Sequence, residues 1–264
     1  MPIQNVFEHK ITGKYAKIPI LVFINIFGLS GLILWTLTGF LLFPIGLVYM
    51  KFIQGYSVLL LTRKCIWIYG RVWQFIFSAF VVFQKIDFDP YKFSHPGIIV
   101  ANHRSFFDTY CMNMLPVYDI CFGVRAWPFK MIFYRLFMEL AGYINIEKFP
   151  WRTISRIAKK NFADKSYVMI FPEGHRSRNK AMTKFYSGAF KLSIENNVPL
   201  IPVCLTGTEK LLPAGRMFLA PAKIKMKILD PVWPDQFQGV ARHILLKKHV
   251  KNLMDAHIRE MDAE

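Results

Sequence analysis

Acidic residues are scarce in this 264-residue sequence: 17 Asp and Glu stand against 34 Lys and Arg, and the formal net charge is +17. Such a basic balance predicts an anionic partner: nucleic acid, acidic lipid headgroups, or a phosphorylated or acidic substrate. Cysteine is scarce too, and its four residues follow no metal-ligand or redox spacing. That scatter disfavours a cysteine-based zinc or redox site and is typical of reduced, buried thiols in a cytosol-facing protein.

Charge of either sign is missing from Ile18 to Met50. Hydrophobic residues make up 53% of the whole chain, which indicates a membrane-associated protein. One crossing needs about 20 apolar residues, so two interpretations remain open: a long tilted transmembrane helix, or a helix with a re-entrant or hairpin bend. Basic residues on both sides of the run slightly favour the hairpin. A cleaved signal peptide is disfavoured, because the apolar core is too long and no small-x-small site follows it.

Residues 56–83 mix apolar and aromatic residues with a few cations. This pattern predicts an amphipathic helix at the bilayer interface, with Trp67 and Trp73 in the headgroup layer. A second transmembrane helix is less favoured, because its cations would lie within the bilayer. We therefore predict a membrane-anchoring helical region over residues 1–84 and a second domain over residues 85–264.

The second domain alternates short apolar runs with helical patterns, and it contains no internal repeats or low-complexity segments. We predict strands at 98–101, 120–124, 143–147, 167–171, 200–205 and 223–229. We predict helices at 107–115, 129–141, 151–164 and 186–196, with a basic amphipathic helix from residue 240. This alternation predicts an α/β fold in which a mixed sheet is flanked by helices.

His103 and Asp108 directly follow the apolar run at 98–101. Five helical positions turn one side chain about 140° away from the other, so the two residues meet only if the chain between them forms a turn. The carboxylate then orients the imidazole, whose other ring nitrogen serves as a general base for a hydroxyl. A surface His beside a helix-capping Asp is the alternative, and this pair alone does not decide between them.

A second group of polar residues, Glu173, Gly174 and Arg176, follows the strand predicted at 167–171. Arg recognises phosphate through a planar fork of donors, and Gly lets the backbone approach a ligand. Glu173 either orients Arg176 or accepts a hydrogen bond from a substrate hydroxyl. A tight turn with a surface ion pair is the alternative interpretation.

Four blocks of the sequence resemble, in the family's order, the 1-acylglycerol-3-phosphate acyltransferase family of glycerolipid acyltransferases. They are Asn-His-Arg-Ser-Phe-Phe-Asp at 102–108, Gly-Tyr-Ile-Asn-Ile-Glu-Lys at 142–148, Phe-Pro-Glu-Gly-His-Arg-Ser at 171–177 and Val-Pro-Leu-Ile-Pro-Val at 198–203. The resemblance spans roughly residues 85–235. It implies that residues 85–264 form a glycerolipid acyltransferase domain, with the hydrophobic segment ahead of it as the family usually has.

The resemblance also implies roles for individual residues. His103 would deprotonate the acceptor hydroxyl, which then attacks an acyl thioester, and Asp108 would orient His103. The candidates for substrate binding are Glu173, Gly174, Arg176, Arg104 and Arg125. The partners implied are acyl-CoA or acyl carrier protein as donor, a lysophospholipid acceptor and membrane lipid. No metal, other cofactor or nucleic acid is expected.

The leading functional prediction is a membrane-bound enzyme that acylates lysophosphatidic acid to phosphatidic acid, with its catalytic domain facing the cytoplasm. Departures from the family pattern at Asn145, Glu147 and Lys148 keep open another lysolipid acceptor or a specialised acyl chain. His175 stands where the family commonly has Thr. A membrane-tethered basic binding protein is the alternative from a different functional class.

Overall fold

The computed structural model describes residues 17–177, 181–212 and 218–264, so the first 16 residues of the predicted membrane-anchoring region lie outside it. Helix α1 spans Lys17–Gln54 and remains one helix although it contains Pro44. The chain reverses at residues 55–57, where Gly55 has a φ of +68°, and continues as α2, Val58–Phe77. This corrects the hairpin prediction for residues 18–50. Pro44 removes one helical hydrogen bond, which the rest of the helix tolerates, and the chain turns only beyond the apolar run.

Helix α1 carries an apolar stretch, Leu21–Ile53, with a mean hydropathy of 2.0, and its most apolar part is not buried against the rest of the protein. Within the described residues it is the one helix whose length and composition would allow it to cross a membrane. At a rise of about 1.5 Å per residue the stretch is roughly 50 Å long, well above the roughly 30 Å of a bilayer core.

Helix α2 is amphipathic as expected, but its buried face lies against the protein. Trp73 is fully buried and stacks on Phe77 and Phe107 at ring distances of 4.5 and 5.3 Å. Arg63 is also buried and pairs with Asp119 at 2.6 Å. The prediction that Trp73 lies in a headgroup layer is therefore wrong. The pattern of one helix does not reveal that aromatic and acidic partners from later segments cover it.

The core of the molecule is a seven-stranded mixed sheet with the strand order β1-β7-β6-β2-β5-β3-β4. Its strands are Val81–Ile86 (β1), Ile98–Ala101 (β2), Ile120–Val124 (β3), Ile144–Asn145 (β4), Tyr167–Ile170 (β5), Leu200–Thr206 (β6) and Ala222–Ile228 (β7). Neighbours pair in parallel except β6 and β7, which are antiparallel. The mixed sheet of the sequence prediction is confirmed, with every expected strand present.

Strand β1 was not predicted, since residues 81–83 were assigned to the preceding amphipathic helix. It lies at one edge of the sheet and pairs with β7, which follows it by more than a hundred residues. The periodicity of a short segment does not reveal that it pairs with a strand so far along the chain. The expected boundary between residues 84 and 85 falls inside β1, and the division into two domains stays a prediction.

The helices cover both faces of the sheet. The later ones are Asp108–Cys111 (α3), Ile132–Leu140 (α4), Trp151–Ala163 (α5), Gly188–Asn196 (α6), Thr208–Leu211 (α7) and Arg242–Ala263 (α8). One apolar core joins α1, α2 and α3 to the sheet face that includes Ile99, and the other joins α5, α6 and α8 to the face that includes Ile98. Because side chains alternate along a strand, β2 contributes to both cores, and it is fully buried at the centre of the sheet.

Candidate active site

The site begins where β2 ends, at Asn102. Its side chain is fully buried and forms two hydrogen bonds with the backbone of Leu205: Nδ2 donates to the carbonyl and Oδ1 accepts from the N–H, both at 2.8 Å. The amide thus continues the pairing of β2 with β6 by one residue, through a side chain instead of the backbone. This fixes the chain direction at the next residue, His103.

His103 and Asp108 are in direct contact. Nδ1 of His103 lies 2.9 Å from Oδ2 of Asp108, and the intervening residues form the turn that the sequence argument required. The same oxygen accepts from the backbone N–H groups of Arg104 at 2.6 Å and Ser105 at 2.8 Å. If the proton between the two side chains is assigned to Nδ1, the other ring nitrogen, Nε2, is free of hydrogen and can accept a proton.

The second oxygen of Asp108 accepts from the hydroxyl of Thr208 at 2.5 Å, and both side chains are fully buried. Four donors therefore converge on this carboxylate, as expected around an ionised acceptor. Sequence reasoning missed Thr208, although it lies in the turn that follows β6, as His103 follows β2. Gly207 allows that turn: its φ is +87°, and a Cβ there would lie 1.9 Å from the carbonyl oxygen of Lys223.

Glu173 holds the backbone of His103 from the opposite side. It is fully buried; Oε1 accepts from the N–H of His103, and Oε2 accepts from both the N–H and the hydroxyl of Thr183, each at 2.8 Å. The imidazole stacks on Phe171 at a ring distance of 4.4 Å, and the N–H of Ser177 donates to the carbonyl of His103 at 2.8 Å. The loop at 171–177 thereby positions His103.

Gly174 and Arg176 lie on the same loop. Gly174 has a φ of +71°, and a Cβ there would approach the ring of Tyr186 to 2.9 Å, so the position favours glycine twice over. Arg176 is exposed, as is His175. Because β2 and β5 run in parallel next to each other, their carboxyl ends bring Arg176 and His103 to the same edge of the sheet.

The side chains of Arg104 and Arg125, two further candidates for substrate binding, are each bound to a carboxylate of the protein. The guanidinium of Arg104 points towards α8 and donates to both carboxylate oxygens of Asp262, at 2.9 and 2.7 Å. Burial opposes its charge, but the hydrogen bonds and the charge of Asp262 raise its pKa on balance. Arg125 is half-exposed and donates to Glu147 at 2.6 Å. With the N–H of Ala126, it holds the pKa of that carboxyl below its usual range.

The part of the chain that carries this site is similar to known proteins. A protein-family model described as acyltransferase matches residues 83–206, which include all four motif blocks. The 1-acyl-sn-glycerol-3-phosphate acyltransferase of Escherichia coli (strain K12) is 27% identical over 173 residues, covering 64% of this chain and 69% of that protein. The 1-acyl-sn-glycerol-3-phosphate acyltransferase alpha of Mus musculus is 30% identical over 173 residues, covering 58% of this chain and 58% of that protein.

The chain is thus similar to 1-acyl-sn-glycerol-3-phosphate acyltransferases over the part that the acyltransferase family model matches. A crystal structure of the 1-acyl-sn-glycerophosphate acyltransferase from Thermotoga maritima is similar in fold, with a TM-score of 0.63 at 23% identity over 88% of this chain and 96% of that one. The aligned part spans little more than half of the mouse protein. The acyltransferase resemblance inferred from the motifs is thus confirmed, and so is the α/β fold that the alternation of strands and helices predicted.

The candidate site is built from side chains that contact one another across several elements. The described residues contain no cluster of three or more His, Cys, Asp and Glu side chains arranged to hold a metal ion. The polar residues at the strand ends instead form one hydrogen-bonded group around His103. That group orients a ring nitrogen, which is what proton transfer from a hydroxyl requires.

Proposed function

We propose that this protein is a membrane-bound O-acyltransferase that moves a fatty acyl group from an acyl thioester to the free hydroxyl of 1-acylglycerol-3-phosphate, giving phosphatidic acid. The observation that carries the proposal is the contact between His103 and the fully buried Asp108, which leaves one imidazole nitrogen to accept a proton. The names of the similar proteins support the choice of acceptor.

The reaction follows from the position of that nitrogen. Nε2 of His103 accepts the proton of the acceptor hydroxyl while the hydroxyl oxygen attacks the thioester carbonyl. The resulting tetrahedral intermediate collapses, the C–S bond breaks, and the imidazolium returns the proton to the leaving thiolate. Asp108 stabilises the imidazolium between these two transfers. General base catalysis of this kind contributes about 10²- to 10⁴-fold in rate.

Binding of the acceptor's phosphate is assigned to Arg176. It is exposed at the same sheet edge as His103, beside Gly174, whose missing side chain keeps that part of the loop close to Tyr186. A guanidinium offers phosphate two parallel hydrogen bonds. Glu173 supports this arrangement by fixing the loop to the backbone of His103. Arg104, which is engaged by Asp262, is assigned to holding the turn.

Membrane attachment is assigned to α1, since its apolar stretch is long and largely exposed. Acyl thioesters are cytoplasmic, so the proposal places the catalytic domain at the cytoplasmic face of the membrane. Both acyl-CoA and acyl carrier protein remain candidate donors. The basic balance of the chain suits either, because one carries phosphates and the other is acidic.

A specialised acceptor or acyl chain is the second candidate within the same class. The residues of the block at 142–148 that differ from the family pattern are joined by hydrogen bonds. The side chain of Asn145 accepts from the N–H groups of Glu147 and Lys148 at 3.2 and 2.9 Å, and Glu147 binds Arg125. This group stands at the carboxyl end of β3 and β4, on the sheet edge that carries His103. It is a place where acceptor selectivity can differ from that of relatives.

An acyl-transfer assay with purified protein in lipid tests the proposal. Lysophosphatidic acid and a panel of other lysolipids are offered, each with acyl-CoA and with acyl carrier protein as donor. We expect phosphatidic acid as the main product. Transfer only to another lysolipid would support the second candidate. If the folded protein transfers an acyl group to none of the acceptors, the proposal that it is an acyltransferase is refuted.

A further inference from the structure

A group of large apolar side chains lies exposed on and just before α4. It comprises Trp127, Met131, Ile132, Tyr134 and Leu136, which we call the α4 patch; Ile132 is 83% exposed. A helix of a water-soluble domain buries its apolar side chains, and a concentration of exposed ones marks a site of interaction.

The charged residues of α4 do not oppose an apolar environment. The helix carries Arg135 and Glu139, and these two pair with each other at 2.8 Å on its own surface. Lys130 is exposed at the start of the patch. A long basic side chain lies along an apolar surface and extends its charge to the phosphate layer. Trp127, an aromatic residue with one polar atom, suits the same layer.

The α4 patch is continuous with the exposed apolar surface of α1. Phe137, in the middle of α4, packs edge-on against Phe40 and Phe43 of α1 at ring distances of 5.4 and 4.8 Å. Both partners belong to the apolar stretch Leu21–Ile53, many of whose large side chains are exposed. Whatever apolar medium surrounds α1 at this level therefore also meets α4.

We propose that the α4 patch is a second bilayer-contacting surface, which lies in the headgroup and upper acyl-chain region beside α1. Two features favour lipid over a protein partner: continuity with the apolar stretch of α1, and the exposed cation of Lys130 at the border of the patch, which matches lipid phosphates.

The patch also borders the catalytic turn. The hydroxyl of Tyr134 lies 3.4 Å from that of Tyr110, which belongs to α3, the helix that begins with Asp108. Phe106, within the turn, is partly exposed and packs against Tyr110 at 5.6 Å. Lipid held on the patch thus lies beside the site. This consequence rests on the acyl transfer proposed above, whereas contact with the bilayer rests only on the membrane attachment of α1.

Photo-cross-linking in vesicles tests the contact without any need for activity. The photoreactive residue p-benzoylphenylalanine is placed at Ile132, at Phe52 of α1, and at Val240, which is fully exposed before α8. The protein is reconstituted in phosphatidylcholine with phosphatidylglycerol, irradiated and analysed by mass. We expect lipid adducts at 132 and 52 but not at 240.

Each other outcome overturns the proposal. Adducts at 52 alone would place the α4 patch in water. Adducts of 132 to a second polypeptide would make the patch a protein interface. An absence of lipid adducts at both 132 and 52 would remove α1 and α4 from the bilayer together.

A kinetic arm tests the consequence for catalysis. Ile132→Asp and Leu136→Asp are compared with Val240→Asp. We expect the first two to lower transfer to a long-chain acceptor in vesicles about tenfold, and to leave transfer to a soluble short-chain acceptor unchanged. Equal rates on vesicles for all three variants would overturn the link to the site. If the unaltered protein transfers nothing, the proposed function fails, while the cross-linking result stands.

Discussion

Replacing Asp108 by Asn tests the electrostatic part of the mechanism. The substitution keeps the shape of the side chain, and the amide oxygen can still accept from His103 Nδ1 and from the turn N–H groups. The amide NH₂ can donate to the oxygen of Thr208, which now lies 2.5 Å from the carboxylate. Hydrogen bonding is largely retained, so the main loss is the negative charge next to the imidazolium.

The size of that loss follows from the geometry. A charge pair at 2.9 Å is worth up to about 6 kcal/mol at an effective dielectric constant of about 20. A charge-assisted hydrogen bond exceeds a neutral one by about 1.5 kcal/mol, which sets the lower limit. Since about 1.4 kcal/mol corresponds to a factor of ten, kcat should fall about 10- to 10⁴-fold with little change in KM.

Steady-state kinetics on reconstituted protein measures this effect. Asp255→Asn is the matched control, because Asp255 pairs with Arg259 on the surface of α8. A thermal unfolding curve for each variant shows whether the fold survives. A kcat for Asp108→Asn within threefold of the original value, in a folded protein, would refute the role of the carboxylate.

Three further substitutions probe the surroundings of the site. Asp262→Asn leaves the buried guanidinium of Arg104 with a neutral partner; we expect the free energy of unfolding to drop by about 2–3 kcal/mol, and an unchanged denaturation midpoint would contradict that. Arg176→Ala should raise the apparent KM for a phosphorylated acceptor about tenfold at constant kcat, and an unaltered KM would remove this residue from phosphate binding. Gly174→Ala places a Cβ at a φ of +71° and should cost about 1–2 kcal/mol of stability in chemical denaturation, unlike Gly46→Ala, where nothing lies within 4 Å of the added Cβ.

The sequence was sufficient for the parts of the site that are local. The apolar run at β2 and the turn between His103 and Asp108 follow from a short segment, because a strand end and a spacing of five restrict the geometry. The glycine of the loop at 171–177 is local in the same sense, since its φ is a property of one residue.

What the sequence missed depends on contacts between distant segments. Thr208 reaches Asp108 and Asp262 reaches Arg104 only after β6 and α8 have packed beside β2. Glu173 was expected to contact Arg176 or substrate, yet both of its oxygens bind donors around His103 and Thr183. A pattern identifies a polar residue at a strand end, but it does not show which neighbour arrives to bind it.

Helix α2 shows the same limit for packing. Its amphipathic pattern was recognised, but the pattern does not distinguish a face that meets lipid from one that meets protein. Trp73 is covered by aromatic rings from its own helix and from the catalytic turn, and Arg63 by Asp119 and the carbonyl of Ala141. Apart from Phe77, these partners lie between 30 and 80 residues away along the chain, beyond the reach of helical periodicity.

The most direct test of the account is acyl transfer to lysophosphatidic acid by His103→Ala beside His257→Ala. Both histidines have a carboxylate partner, at 2.9 and 3.0 Å, but that of His257 is Glu260 on the surface of α8. We expect His103→Ala to lose about 10²-fold or more in kcat while keeping its fold, and His257→Ala to keep full activity. Equal turnover by the two variants would contradict the assignment of His103 as the base.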